Sequence, residues 1–407
     1  MIGRTMSLYK NAYSGLTPST WLLSLVMLIN RSGTMVNLFM PVYLTYKLGY
    51  SVGKSGIVMA LFGAGAVAGA YIGGRLTDRI GFFSVQIMAL IGGGILFVAL
   101  GQVKTFPLIC VFTFLLSLVN ESFRPANSTA IVAYSRDDNR TRSYALNRLA
   151  VNLGWAVGST TGGILASIDY NLLFWVAGLT NIFAALLLWI SLRGAARAKN
   201  IEKKKEEVMI DKSHSPYRDK VYLWFLLLTI IFAACFFQFL TNTNVYYKLE
   251  LHFDESFIGV LGAVNGIMIV VIEMVLVFKL EGKRSNMYYI IRGVALVGVS
   301  YIMLNLLHIT MIMAVLVMVV MTIGEILALP FMNTYWIGRS KNHNRGQYAG
   351  AYTISWSIAQ TLGPLIGAQV AQYAGFSTLW WFGGAACFLA AVGFAILQKK
   401  ENNAHVP

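Results

Sequence analysis

Twelve mostly apolar runs, at 19–46, 54–77, 83–103, 106–132, 141–167, 171–193, 221–247, 256–279, 287–306, 309–337, 346–373 and 376–398, dominate the sequence. A helix needs roughly 20 apolar residues to cross the hydrocarbon core of a bilayer. Each run meets that length. The composition agrees: 57% of the 407 residues are hydrophobic and 12% charged, against about 25% charged in a soluble domain. The 38 glycines and eight prolines are scattered through the apolar runs, as in membrane helices. The expectation is an all-α membrane protein with twelve transmembrane helices.

The first twenty residues hold no compact apolar core ahead of a small-residue cleavage site, so no cleaved leader is expected. Cys110, Cys235 and Cys387 each sit inside an apolar run and give no disulfide framework. The five histidines are dispersed. No metal and no cofactor are expected.

The one long polar stretch, 194–220, divides the runs six and six. It is rich in Lys and Arg. If both termini and this linker share one side, that side carries 25 of the 32 basic residues at its loops and helix ends. The opposite loops carry Lys47, Lys54, Lys104 and Lys248. Basic loops stay cytoplasmic, so both termini are expected there, in a multi-pass protein of the cell (inner) membrane. The net charge of +15 then belongs to loops near anionic headgroups and calls for no nucleic acid.

The halves repeat. At an offset of 205, Pro125 meets Pro330, Asn139-Arg140 meets Asn344-Arg345, and Gly158 and Gly162 meet Gly363 and Gly367. Nearer the start of each half the offset is 203: Tyr43 meets Tyr246, Gly56 meets Gly259 and Gly63 meets Gly266. A duplicated six-helix unit is the reading, giving 1–193 as one bundle, 194–220 as a basic linker and 221–407 as the second bundle. Internal duplication of this kind marks secondary transporters.

The loop after the second run reads "GGRLTDRIGFF". Gly74, Asp78, Arg79 and Gly81 resemble the signature loop of the major facilitator superfamily, with Phe82 and Phe83 where basic residues usually trail. The twelve runs, the central linker and the repeat extend the resemblance over nearly the whole chain. It implies two pseudo-symmetric six-helix bundles around a central cavity lined by segments one, four, seven and ten. It also implies a gating role for Asp78 and Arg79, and no enzymatic activity. Within the superfamily the chain is most similar to bacterial drug/proton antiporters. One departure is Arg31, which stands in a first helix where members of that group often carry an acid.

Gly65, Gly69 and Gly73, and again Gly154, Gly158 and Gly162, recur at four-residue spacing. Such stripes line one helix face and let a neighbour approach closely. "GYSVGKS" has three residues between its glycines where a phosphate loop needs four, so no nucleotide site is expected.

Six charges fall inside the runs: Arg31, Glu121, Arg124, Arg148, Glu273 and Glu325. A charge facing lipid costs several kcal/mol, so each should face a cavity or a partner. A carboxylate in a dry cavity can carry protons near neutral pH. Glu325 is the first proton-coupling candidate, followed by Glu121 and Glu273. Candidate solute contacts are Arg31, Asn37, Arg124, Asn127, Arg148, Gln238, Asn242 and Trp356, with Arg31 suited to an anionic group. Pro125 and Pro330 are candidate helix bends. Structural roles stay open: Glu121 can neutralise Arg124, Arg148 can pair with an acid, and Glu273 can bond a neighbouring helix.

The expected function is proton-coupled transport of a small organic solute by alternating access, first as a multidrug or solute efflux antiporter. A proton-coupled symporter for an anionic, zwitterionic or peptide-like solute is one alternative. A lipid transporter or scramblase on the same fold is another. Expected partners are the small-molecule substrate, protons and membrane lipids, with the chain a monomer.

Overall fold

The computed structural model describes residues 15–33, 35–135, 140–202, 216–280, 282–340 and 345–404, and no strand occurs among them. The helices are α1 (Pro18–Ser32), α2 (Met35–Val42), α3 (Val52–Ile80), α4 (Phe82–Gln102), α5 (Phe106–Glu121), α6 (Phe123–Tyr134), α7 (Arg140–Ile168) and α8 (Tyr170–Glu202). They continue as α9 (Lys220–Leu249), α10 (Glu255–Met268), α11 (Met274–Leu280), α12 (Asn286–Leu306), α13 (Met311–Arg339) and α14 (Arg345–Ala404). Two π-helical turns, Tyr43–Lys47 and Ile269–Glu273, follow α2 and α10. Within the predicted basic linker, 203–215 lie outside the described residues.

Ten stretches among the described residues are long and apolar enough to cross a membrane. The difference from twelve has two causes. α14 is one stretch but contains Gly375 at φ 83°, a backbone conformation that favours glycine, between the eleventh and twelfth predicted spans. α7 has 29 residues but carries Arg140, Arg142, Asn147, Arg148 and Asn152, which dilute its apolarity.

The predicted fourth span is two helices meeting at Ser122. Pro125 has no N–H to give the carbonyl of Glu121, four residues back, so the helical ladder lapses there. The Thr129 hydroxyl bonds the Pro125 carbonyl at 3.1 Å. In the second half Thr334 does the same for Pro330 at 3.0 Å, at the repeat offset of 205, yet α13 runs on unbroken.

The described chain clusters into two compact units. One is drawn from 1–37 and 64–206, the other from 38–63 and 207–407. In the first, Leu23, Val26 and Met27 of α1 pack with Phe82 and Val85 of α4, Phe123 and Ala130 of α6, and Ala184 and Leu188 of α8. The predicted glycine stripe on α3 lies against α5 and the junction that follows it. A Cβ at Gly65 would stand 2.5 Å from the Phe114 carbonyl oxygen, and one at Gly69 2.2 Å from that of Leu118. At Gly73 it would meet the Cα of Ser122 at 2.6 Å. Backbone cannot yield as a flexible side chain can. Gly69→Val is therefore expected to cost about 1–3 kcal/mol or more, read as a lowered melting temperature in detergent. Gly74→Val, with nothing within 4 Å, should leave it nearly unchanged.

The second unit repeats this device. On α14, a Cβ at Gly363 would stand 2.4 Å from the Ala234 carbonyl oxygen. In the first unit its repeat mate Gly158, on α7, meets the Ser32 carbonyl oxygen at 2.7 Å. The part of α3 within the second unit is seated the same way: Gly56 meets Ala368, and Gly63 meets Thr361. Gln369 and Gln372 bond the carbonyl and N–H of Gly53, each at 3.2 Å.

The Lys220 end of α9 is fixed by a charge cluster. Asp219 caps the helix by accepting from the Tyr222 N–H at 3.1 Å. Arg339, ending α13, grips it with two guanidinium nitrogens at 2.5 and 2.8 Å and reaches Glu401 at 2.8 Å. Tyr348 donates to Asp219 and Tyr335 to Glu401. The first unit has a neutral counterpart, in which Thr17 caps α1 and bonds the carbonyl of Tyr134, the residue 205 before Arg339. Burial raises the Asp219 carboxyl, but the Arg339 and Tyr222 donors outweigh it and hold it below the usual carboxylate range. A lowered folded value means the stabilisation is full above the unfolded value of about 4 and fades as pH falls through the folded one. Asp219→Asn should cost about 1–3 kcal/mol at neutral pH. In melts across pH, its gap from the wild type should close as pH drops below about 4.

Candidate functional site

Three of the six predicted intramembrane charges come together in the first unit. Arg31 lies in the last turn of α1, Glu121 ends α5 and Arg124 opens α6. Glu121 receives both arginines: Arg31 Nη1 is 3.6 Å from one carboxylate oxygen, and Arg124 Nη1 is 3.4 Å from the other. The side chains of Arg31 and Glu121 are 13% and 9% exposed, whereas that of Arg124 is 60% exposed. Two guanidiniums share one carboxylate, with Arg124 outermost. Gly154 of α7 makes the close packing possible, because a Cβ there would stand 2.7 Å from that of Arg31.

The polar side chains around it are more committed. Asn127 accepts from Gln86 and donates to Asn147, both at 3.1 Å, tying α6 to α4 and α7. Asn30 donates to Asn181 at 2.7 Å between α1 and α8. Such amide pairs hold membrane helices together. Asn37 is half-buried on α2, and Arg148 is exposed on α7. Asp78 and Arg79 are exposed at the end of α3. The glycine that follows them, Gly81, takes φ 85°, which explains the glycine of that loop.

Glu325 anchors a separate cluster in the second unit. It is 9% exposed on α13. Asn265 of α10 donates one amide hydrogen to it at 2.8 Å and the other to Thr322 Oγ1 at 3.0 Å. Asn265 is absent from the sequence-derived candidates. Its only signal is an isolated amide in the apolar run "LGAVNGIM". Glu273 is buried at the end of the π-helical turn. Gln238 and Asn242 are buried on α9 beneath Gly367, where a Cβ would lie 2.5 Å from a polar atom of each. Trp356 is edge-on to Phe236, Phe237 and Tyr352 at centroid distances of 6.0, 5.8 and 6.1 Å.

One reading changes. Lys248, assigned from sequence to an external loop, belongs to the last turn of α9 and is 8% exposed. It pairs with Glu255 at 2.9 Å and lies 4.4 Å from the Tyr46 ring centroid. A lysine near an apolar run scores as a loop residue because its buried partner opens the next helix, seven residues on.

Long apolar helices with charged clusters held inside them define a multi-pass membrane protein. The profile of the Major Facilitator Superfamily matches residues 20–364, and the chain belongs to that family. It is similar to the uncharacterized MFS-type transporter YqjV of Bacillus subtilis (strain 168), at 22% identity over 86% of this chain and 85% of the relative. It is also similar to Multidrug resistance protein 1 of the same organism, at 23% over 77% and 80%. Among solved structures, a POT family transporter in complex with 5-aminolevulinic acid superposes with a TM-score of 0.80 at 15% identity, covering 95% of this chain and 97% of that one. At that identity the likeness shows the fold alone, the all-α major facilitator fold.

Proposed function

We propose that this chain exports a small organic solute in exchange for protons, and that the solute carries a carboxylate or comparable anionic group. The Arg31–Glu121–Arg124 cluster carries this reading. It sets two guanidiniums against one carboxylate, with Arg124 60% exposed. A solute anion meeting the outermost Arg124 and competing with Glu121 for Arg31 gains charge-assisted, two-pronged bonds that a lysine would not offer. The multidrug resistance protein among the relatives supports the outward direction. Glu325, held by Asn265 in the other unit, is the proton carrier. Asp78 and Arg79 act at the gate, with both termini cytoplasmic in the inner membrane. The repeated bundles, 1–193 and 221–407, rock to give alternating access.

The solute class is tested by thermal-shift binding with cationic drugs, organic anions, zwitterions and short peptides. Compounds bearing a carboxylate should raise the melting temperature of the wild type but not of Arg31→Gln. Stabilisation only by cations that lack an anionic group would overturn the reading.

A further inference from the structure

We propose that Asn265 is a positioning residue for Glu325, locked as a hydrogen-bond donor so that it sets the pH at which Glu325 takes up and releases its proton. This rests on the proton-carrier reading above and goes beyond it. Thr322 sends its hydroxyl hydrogen to the Met318 carbonyl at 2.7 Å, so its oxygen can only accept from Asn265. The other amide hydrogen goes to Glu325 at 2.8 Å. Turning the amide over would set its oxygen against two acceptors. Asn265 is thereby held with its N–H toward the carboxylate. A donor aimed at a carboxylate favours the charged form, so the Asn265 bond contributes to where the group cycles.

The backbone after Asn265 adds a second feature. The Ile269 N–H bonds the carbonyls of Asn265 and Gly266, and the π-helical turn Ile269–Glu273 begins there. Glu273, the last residue of that turn, is buried. Several charged and titratable groups on the elements packed against α13 have partners of their own among the described residues. Glu255 pairs with Lys248, Arg292 stacks on Tyr288, Tyr289 bonds the Leu280 carbonyl, and Tyr301 bonds that of Cys235. On α13 itself, Tyr335 and Arg339 bind Glu401 of α14. Lys279 is exposed on α11.

The experiment uses the full chain in proteoliposomes with a trapped pH dye and a carboxylate-bearing solute from the binding panel. Asn265→Leu should move the pH midpoint of solute-driven proton flux upward by about one unit, a tenfold change in proton affinity. Solute-for-solute exchange should persist. Asn265→Ser, gentler on packing, should shift the midpoint the same way by less. An unmoved midpoint in a folded variant would overturn the proposal, as would an equal shift in solute exchange when Glu325 is already Gln. If Glu325→Gln alone keeps its proton coupling, the proton-carrier reading itself fails. If that variant uncouples while both Asn265 variants keep the wild-type profile, only the role of Asn265 fails.

Discussion

Arg31→Gln is expected to weaken solute binding about a hundredfold and also to destabilise the fold. The two effects have separate causes. A charge-assisted bond to an anion contributes about 1.5–3 kcal/mol, and a hundredfold in affinity is about 2.7 kcal/mol. The stability loss arises because Glu121, 9% exposed, would keep the outlying Arg124 as its one ion-pair partner among the described residues. Removing one member of a buried pair costs about 3–5 kcal/mol when the other is left charged. The double variant Arg31→Gln/Glu121→Gln separates the two. It should recover most of the melting temperature, since no buried charge is left without its partner and Arg124 is 60% exposed to solvent, yet still fail to bind the solute. Arg31→Lys should fall between, because a lysine keeps the charge but loses the fork. Thermal melts and equilibrium binding on the four proteins check the set. Recovery of binding in the double variant would show that Arg31 serves only to neutralise Glu121.

The second large effect is on coupling. Glu325→Gln should bring proton-driven solute accumulation down to the level of empty vesicles while solute-for-solute exchange continues at a rate within about threefold. Exchange requires only the loaded carrier to reorient, and a ligand can shift such an equilibrium only through the state it binds better. Glutamine keeps an acceptor for the 2.8 Å Asn265 bond but cannot gain or lose a proton. The substitution is close to isosteric, so the melting temperature should change little. Parallel loss of exchange would make Glu325 a residue needed for reorientation itself.

Most of the architecture was legible because apolar length is a local property. Each span declares itself within some twenty residues, and Gly65, Gly69 and Gly73 announce their seam by spacing alone. Pro125 also marked its helix, although the interruption at Ser122 follows from the donor it withholds from Glu121. The clusters were less legible because their pairings cross the chain. Glu121 was readable with Arg124, three residues away, but its partner Arg31 lies on another helix. Asn265 and Glu325 are 60 residues apart. Arg339 holds Asp219 and Glu401 at separations of 120 and 62. Charge count and spacing show which residues need partners; packing decides which partners they get. Lys248 shows the same limit, since only the fold reveals that it is buried against Glu255.

The most direct test of the account is to follow solute and protons together in proteoliposomes under an imposed pH gradient. A radiolabelled carboxylate-bearing solute would report one and a trapped dye the other. The expected result is movement of solute and protons in opposite directions, with solute accumulation lost when an ionophore collapses the gradient and in Glu325→Gln. Solute entering and equilibrating with no accompanying proton movement, at equal rates with and without the gradient, would contradict proton-coupled export.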